Sequence, residues 1–302
     1  MNSSEHTLPA PAKINLHLHV TGIRDDGRHE LDTSFAYVDV ADRLTIRTHN
    51  SLHVTCSDTH LEGKNNLVWR VLTAMREHYG VNNGLNVHVE KHLPEQAGLG
   101  GGSSDAATAI IAANHLWGLN LPPDELIAFA ALFGADIPCF LFGSASLAAG
   151  IGEHLTELPA PLPQQRIVLA HPGIGLSTAE VFRRFDAGAQ LTRHGAKDTM
   201  PARSSGQALR QIFRLGTNDL EAVACGLCPE LESLLAALRG QTDKAWMSGS
   251  GSACVALVDD ADAARRLAEE LQHADLARWT HVGKLLAVHP LRKTAYWGVA
   301  KR

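Results

Sequence analysis

The chain has 302 residues, 45% hydrophobic and 20% charged, with 27 Lys and Arg against 32 Asp and Glu for a formal net charge of −5. That length suits about two domains of roughly 150 residues, each able to bury a core without metal or disulfide support. The composition excludes wholesale disorder, and the slight acidity excludes the basic footprint that nucleic acid requires, so no nucleic-acid partner is expected. No run of about 18 apolar residues occurs. Met1 to Ala12 resemble neither a secretory signal nor an Arg-rich transit peptide. No membrane association and a cytoplasmic location are therefore expected. Five cysteines (Cys56, Cys139, Cys225, Cys228 and Cys254) fit free thiols in a reducing compartment. Cys225 and Cys228 have C-x-x-C spacing, but no second pair completes a zinc site, and two thiols near a helix turn is the plainer reading. The seventeen histidines are scattered, with no H-E-x-x-H among them.

Residues 12–20 alternate, with Ile14, Leu16, Leu18 and Val20 on one face and Lys13, Asn15, His17 and His19 on the other. Period two predicts a strand with one buried face. Asp25-Asp26-Gly27 reads as a turn. Residues 35–40 and 43–48 read as two short strands. Asn66 to Tyr79 predicts a helix, with Leu67, Val71, Leu72 and Met75 at helical spacing. Leu85 to Val89 alternates as a strand. The glycine cluster Gly98-Leu99-Gly100-Gly101-Gly102-Ser103-Ser104-Asp105 then precedes a predicted helix over Ala106 to Trp117. Asp124 to Phe133 predicts another, capped by Asp124 after Pro122-Pro123. Gly134-Ala135-Asp136-Ile137-Pro138 interrupts, and Cys139 to Ala149 is mostly apolar. Pro159, Pro161 and Pro163 mark the expected domain boundary, dividing 1–160 from 161–302. Beyond it come a buried strand over Arg166 to Ala170, a polar loop over 186–206 and a helix over Leu231 to Leu238. A second glycine loop, Met247 to Ser252, precedes a strand over Ala253 to Val258 and a helix over Ala261 to Leu271. Strands and helices mix without strict alternation, so the expected class is α+β.

The first glycine cluster runs into a helix N-terminus, where free N–H groups and the helix dipole favour a phosphate. It is not a Walker A loop, since no Lys follows the glycines, and Ser103 stands where a dinucleotide fingerprint needs its last Gly. The glycines alone admit both a phosphate cradle and a tightly packed turn. Lys13 alone reads as a solvated strand Lys, and Asp136 alone as a turn residue. Together the set suits phosphoryl transfer: amides hold phosphates, Lys stabilises developing charge, and Asp orients or deprotonates a hydroxyl. Spacing does not show that Lys13 and Asp136 meet. Gly249-Ser250-Gly251-Ser252 is either the far wall of the same site or a tight helix-to-strand turn.

In this order, Pro11-Ala12-Lys13-Ile14-Asn15-Leu16, Pro94 through Ser104 and Met247 through Ala253 resemble the three motifs of the GHMP kinase superfamily. Ala97 through Ala107, Gly134-Ala135-Asp136-Ile137-Pro138 and His289-Pro290-Leu291-Arg292 resemble the branch that acts on a cytidyl diphospho sugar alcohol. The likeness runs from Pro9 to Arg292. It implies an N-terminal domain like ribosomal protein S5 domain 2 and a ferredoxin-like C-terminal domain. It implies ATP along Asn66, Pro94, Ala97, Gly98, Leu99, Gly100, Gly101, Gly102, Ser103 and Ser104, with Mg²⁺ bridging phosphate oxygens. No residue marks itself as the metal ligand, though Ser104 stands at the expected helix start. Asp136 would take the proton of the substrate's C2 hydroxyl, giving the 2-phosphate and ADP in isoprenoid synthesis by the non-mevalonate route. Lys13 would stabilise the transferring phosphoryl group, and Asn15 would contact substrate. The branch stacks an aromatic of a G-[YF]-H segment on the cytosine. Here the segment is Gly27-Arg28-His29: His29 matches, and Arg28 replaces the aromatic with a guanidinium plane that can also stack. Phe182 would be the second stacking ring, with Thr178 in the same Ser177 to Phe182 segment. Homoserine or mevalonate kinase activity is the alternative, against which the G-A-D-I-P and Gly27-Arg28-His29 segments argue. A non-catalytic protein on this fold would lack Lys13 or Asp136, and both are present. The expected assembly is a monomer or homodimer.

Overall fold

Strands β1 (His6–Ile23) and β2 (His29–His49) pair antiparallel along their length and carry the rest of the fold. They come from a computed structural model, which describes residues 4–159, 161–188 and 216–297. The turn expected at Asp25-Asp26-Gly27 joins them. β2 is one strand where two were expected. Its middle is held from both edges, Tyr37 facing Lys13 of β1 and Leu286 of the late strand β11 (Leu285–Leu286). That double pairing carries the chain through Asp39 to Asp42, which local pattern reads as a break.

β3 (His53–Cys56), β4 (Gly84–Glu90), β5 (Ser146–Gly150) and β6 (His154–Glu157) complete a seven-stranded sheet with β1, β2 and β11. The proline-rich segment 158–165 leads from β6 to β7 (Arg166–His171), the start of a second, antiparallel sheet. Its order is β10-β7-β9-β8, with β8 (Ala245–Met247), β9 (Cys254–Val258) and β10 (Trp279–Gly283). The chain re-enters the first sheet at β11. Mixed, largely antiparallel sheets with helices stacked on them make the class α+β.

α1 (Leu67–Tyr79) starts where Asn66 Oδ1 accepts the Val68 N–H at 2.8 Å and stops at left-handed Gly80. α2 (Gly101–Leu116) begins five residues before the apolar run, inside the glycine cluster, and is buried on every side from Ser104 to Asn114. α3 (Pro123–Ala130) begins at Pro123, whose preset φ suits the first helical position. Asp124 therefore sits in the first turn rather than at the cap. α4 (Ile137–Phe142) follows the Gly134 to Asp136 segment.

Helices α5 (Thr178–Gly188), α6 (Glu221–Leu227), α7 (Pro229–Arg239) and α8 (Ala261–His273) cover one face of the second sheet through Val181, Leu231, Leu234, Leu267 and their neighbours. The loop expected over 186–206 lies outside the described residues from 189 onward, and 186–188 finish α5. The other face of that sheet offers Ile167, Leu169, Trp246, Val255 and Leu257, which pack on Ile14, Leu16, Ala36 and Val38. β1 is thus the seam between the two sheets.

The seam changes the alternation read from sequence. The β1–β2 register shifts between Asn15 and His17, a bulge at Leu16. A bulge re-aims the residues after it. Lys13 and Asn15 face the functional cavity, but His17 turns away and meets Asp32 and Ser34, while Leu18 takes the cavity side. Ile14 and Leu16 therefore join one apolar cluster and Leu18 and Val20 another. Nor is the polar face solvated: Lys13, Asn15 and His17 are all buried.

Trp246 closes the seam, its Nε1–H donating to the Asn15 carbonyl at 2.8 Å. Trp246→Phe keeps a buried ring and strands that carbonyl, so unfolding free energy in urea should drop by about 1–3 kcal/mol. An unchanged denaturation midpoint would show that the bond contributes nothing.

Candidate active site

Three segments distant in sequence are tied by backbone. Lys13 N–H donates to the Leu99 carbonyl at 2.9 Å, and Ala253 N–H to the Ala97 carbonyl at 2.9 Å. Ser248 Oγ donates to the Gly98 carbonyl at 3.1 Å. Gly98 has φ +74, and a Cβ there would lie 2.1 Å from the Ser248 carbonyl oxygen. Gly100, the N-cap of α2, has φ +71, and a Cβ would press on Lys13 Cγ and the Phe140 ring at 3.0 Å. Glycine is required at both places for close approach as well as backbone conformation. The second glycine loop is thus both the β8–β9 turn and a wall of the site.

These contacts enclose a cavity of about 660 Å³ lined by both glycine loops, within the usual size of a small-molecule site. Lys13 Nζ lies 3.5 Å from Asp136 Oδ2, the two meeting at the cavity wall. The Lys13 side chain is 4% exposed and that of Asp136 41%, so the cation is fixed and the carboxylate is open to a ligand. Lys13 Nζ also donates to Asn15 Oδ1 at 2.8 Å. Asp136 stands at the N-cap of α4 with no side-chain cap bond, leaving its oxygens available. Its carbonyl accepts from Cys139 Sγ at 3.1 Å. The Cys139 carbonyl in turn accepts from the buried Tyr37 hydroxyl at 2.6 Å. Burial, reinforced by Asp136, pushes the Cys139 thiol well up, so it stays a protonated donor.

Of the residues expected for ATP, Asn66, Pro94, Ala97, Gly98, Leu99, Gly100, Gly101, Gly102 and Ser103 line the cavity. Ser104 does not. It is fully buried in α2, and its hydroxyl has no hydrogen-bond partner among the described residues. Because the helix starts at Gly101, Ser104 is already in its second turn and its N–H bonds the Gly100 carbonyl. The first-turn N–H groups of Gly101, Gly102 and Ser103 are the ones without helical acceptors.

Thr178 and Phe182 of α5, with Leu31, Thr33 and Phe35 of β2, also line the cavity. Thr178 Oγ1 is hydrogen-bonded to Ser250 Oγ at 2.8 Å. The His29 ring stacks on Phe182, centroids 4.4 Å apart, and its Nε2 is 2.7 Å from Asp186 Oδ1. His29 thus backs Phe182 and is not itself on the wall. Arg28 is not on the wall either. Its side chain is 65% exposed at the hairpin turn, with Nε 3.9 Å from Asp26 Oδ2.

A charged cluster was missed from sequence. Lys91 Nζ bonds Asp42 Oδ2 and, at 2.7 Å, Asp105 Oδ2, all three nearly or wholly buried. Lys91 and Asp105 flank the glycine loop and line the cavity. The one available signal was their position beside that loop; nothing local points to Asp42. Burial alone would lower the Lys91 pKa, but the two carboxylates outweigh it and push it up to about 12. For Asp105 burial dominates, Lys91 opposes it and Asp42 adds to it, and the pKa rises to about 7. Among the described residues, no group of three or more His, Cys, Asp or Glu forms a metal cage. Cys225 and Cys228 are free thiols at the end of α6 and just past it.

A family model for the GHMP kinases N terminal domain matches residues 66–144, and one for GHMP kinases C terminal matches 201–275. A 4-diphosphocytidyl-2-C-methyl-D-erythritol kinase of Polaromonas naphthalenivorans is 38% identical over 293 residues, covering 91% of this chain and 95% of the relative. One from Alcanivorax borkumensis is 37% identical over 305 residues, covering 98% and 95%. A crystal structure of 4-(cytidine 5'-diphospho)-2C-methyl-D-erythritol kinase is 36% identical with a TM-score of 0.73, covering 93% of this chain and 99% of that one. A homoserine kinase from Cytophaga hutchinsonii shares the fold at 16% identity and a TM-score of 0.67.

The raised Asp105 has a measurable consequence. A carboxyl whose pKa is higher folded than unfolded binds more protons in the native state between about pH 4 and 7, so stability falls as pH rises through that window. Buried His171 and His289, lowered by burial from the usual histidine value of 6.5 to about 4 and about 3, bind fewer protons folded than unfolded across most of the same window and act there with the opposite sign. The difference between Asp105→Asn and wild type cancels them. Urea unfolding at several pH values should show the variant gaining relative stability from pH 4 to 7. A pH-independent difference would mean that Asp105 keeps an ordinary pKa.

Proposed function

Because this chain belongs to the GHMP kinase family, in its 4-diphosphocytidyl-2-C-methyl-D-erythritol kinase branch, we propose that the cavity performs in-line phosphoryl transfer between Lys13 and Asp136. The protein is an ATP-dependent kinase of 4-diphosphocytidyl-2-C-methyl-D-erythritol. The observation that carries the site assignment is the Lys13–Asp136 pair, 3.5 Å apart at the wall of the glycine-loop cavity.

The nucleotide phosphates lie at the N-terminus of α2, against the free N–H groups of Gly101, Gly102 and Ser103. The cytidyl end lies toward Phe182 and Thr178, so the sugar alcohol falls between, beside Asp136. Asp136 accepts the proton of the C2 hydroxyl as that oxygen bonds to the γ-phosphorus and the bond to the ADP oxygen breaks. Lys13, fixed by Asn15, stabilises charge on the transferring group. Mg²⁺, when bound with ATP, would neutralise phosphate charge. Among the lining residues, Ser103 and the carboxylates of Asp105 and Asp136 could hold it. The chain's −5 charge does not attract these anions, so local donors must. Five free thiols among the described residues support a reducing compartment such as the cytoplasm.

The test follows ADP release with Mg-ATP and, separately, the cytidyl substrate, homoserine and mevalonate. Turnover is expected with the first, and turnover with only the others would overturn the reading. Asp136→Asn should lower kcat by about 10²–10⁴-fold while ATP still binds. Near-wild-type turnover would remove Asp136 as the base. Phe182→Ala should raise KM for the cytidyl substrate by about tenfold or more, the scale of one stacked base, whereas Arg28→Ala should change it little. The reverse ranking would return base stacking to Arg28.

A further inference from the structure

We propose that Thr33 is a positioning residue for phosphoryl transfer: its hydroxyl fixes the orientation of the Asn15 amide, and that amide fixes the Lys13 ammonium. Neither the sequence motifs nor the likeness to other kinases singles out Thr33. It lies on β2, fully buried, with its hydroxyl at the inner wall between Asn15 and the backbone of β1.

The argument is one of hydrogen-bond polarity. Thr33 Oγ1 lies 2.5 Å from the His17 carbonyl oxygen. A carbonyl only accepts, so the hydroxyl proton must point there. The hydroxyl then has only lone pairs left for its other neighbour, Asn15 Nδ2, at 2.8 Å. Asn15 must present its NH₂ to Thr33, which turns Oδ1 the other way. Oδ1 meets Lys13 Nζ at 2.8 Å. An ammonium only donates, so the two ends of the relay demand the same amide orientation. With the amide reversed, its NH₂ would face the ammonium and its oxygen would face the Thr33 lone pairs, and both contacts would be lost. The bulge at Leu16 makes the relay possible, because it brings the His17 carbonyl opposite the Thr33 hydroxyl.

The consequence concerns a cation that has little else to hold it in place. Lys13 has the 3.5 Å ion pair with Asp136, whose carboxylate is partly exposed, and the Phe35 ring 5.2 Å from Nζ. The Asn15 oxygen is its shorter, buried anchor. Asn15, expected from sequence to touch substrate, thus uses its carbonyl on Lys13 and its amide on Thr33, and serves as the middle of a relay. Without the Thr33 hydroxyl the amide can rotate, and Lys13 loses its fixed place at the transferring phosphoryl group.

The proposal rests on the kinase reading, and the experiment separates the two. Wild type, Thr33→Val, Thr33→Ser, Asn15→Ala and the Thr33→Val/Asn15→Ala double variant are assayed for ADP release with the cytidyl substrate and Mg-ATP. Folding is checked by thermal unfolding, with Thr33→Ala as a second hydroxyl-free variant should Val disturb it. Thr33→Val is expected to lower kcat on the order of tenfold with both KM values within about twofold, the signature of an interaction used in the transition state. Thr33→Ser retains the hydroxyl and should stay within about threefold of wild type. In the Asn15→Ala background Thr33→Val should cost less than about twofold more, since the relay is already cut. Equal losses from Thr33→Val in both backgrounds, or a loss in Thr33→Ser as large as in Thr33→Val, would overturn the relay in favour of simple packing. Wild-type kcat in both hydroxyl-free variants would overturn it outright. Absence of turnover in the wild type would instead refute the kinase reading, and the relay with it.

Discussion

The outer edge of β1 is the constraint on which the rest depends. β2 pairs one side of that strand, and the groups on the other side must find partners because the strand is buried. They find them in distant segments. Lys13 N–H goes to Leu99, Asn15 N–H to Ser248 and the Asn15 carbonyl to Trp246. The Leu16 carbonyl takes Gly216 N–H, Leu18 N–H goes to Thr217 and Val20 N–H to Asp219. An exposed edge would be a template for unwanted pairing. Here the same unpaired groups recruit both glycine loops and the second sheet, so satisfying one strand's backbone also assembles the cavity proposed as the catalytic cleft.

Both approaches to the first glycine loop are anchored, by different physics. On the β4 side Asp42 accepts the His92 and Leu93 N–H groups at 2.6 and 2.9 Å while it binds Lys91, which reaches Asp105 in α2. On the other side Ser248 and Ala253 hold Gly98 and Ala97 through neutral hydrogen bonds. A buried charge trio is costly unless each member is paired. Asp105 Oδ1 is without a partner among the described residues, and burial raises its pKa accordingly. The anchor is thus incompletely compensated at Asp105, the one carboxylate of the trio that lines the cavity.

The sequence made legible what local pattern determines. The helix ending at Tyr79, its apolar face and the glycine run leading into a helix are all properties of short segments, and both helices are present, with Asn66 as the cap of α1 rather than its first residue and α2 starting five residues before the expected Ala106. What depends on a partner was not legible. The Leu16 bulge reflects the β1–β2 register, so His17 could not be assigned its face from alternation alone. The continuity of β2 comes from β1 and β11. Asp42 is joined to Lys91 and Asp105 by tertiary contact only, and the exposure of Arg28 at its turn is set by the fold around it. Lys13 and Asp136 could each be named, but their meeting is a property of the fold.

Net charge and site charge separate for the same reason. The Asp42–Lys91–Asp105 trio carries one more carboxylate than cation, so it adds nothing attractive for phosphates even though its lysine lines the cavity. In the proposed site, attraction falls to Lys13 and to the amide dipoles at the start of α2. Both act inside the protein, where charges are screened far less than at the surface. A chain of net −5 can therefore hold polyanionic substrates because a few donors are fixed at short range in a low-dielectric cleft. Fixing them, rather than multiplying them, is what β1 accomplishes: one strand orients the cation, closes the loops that present the amides, and leaves Asp136 as the exposed partner.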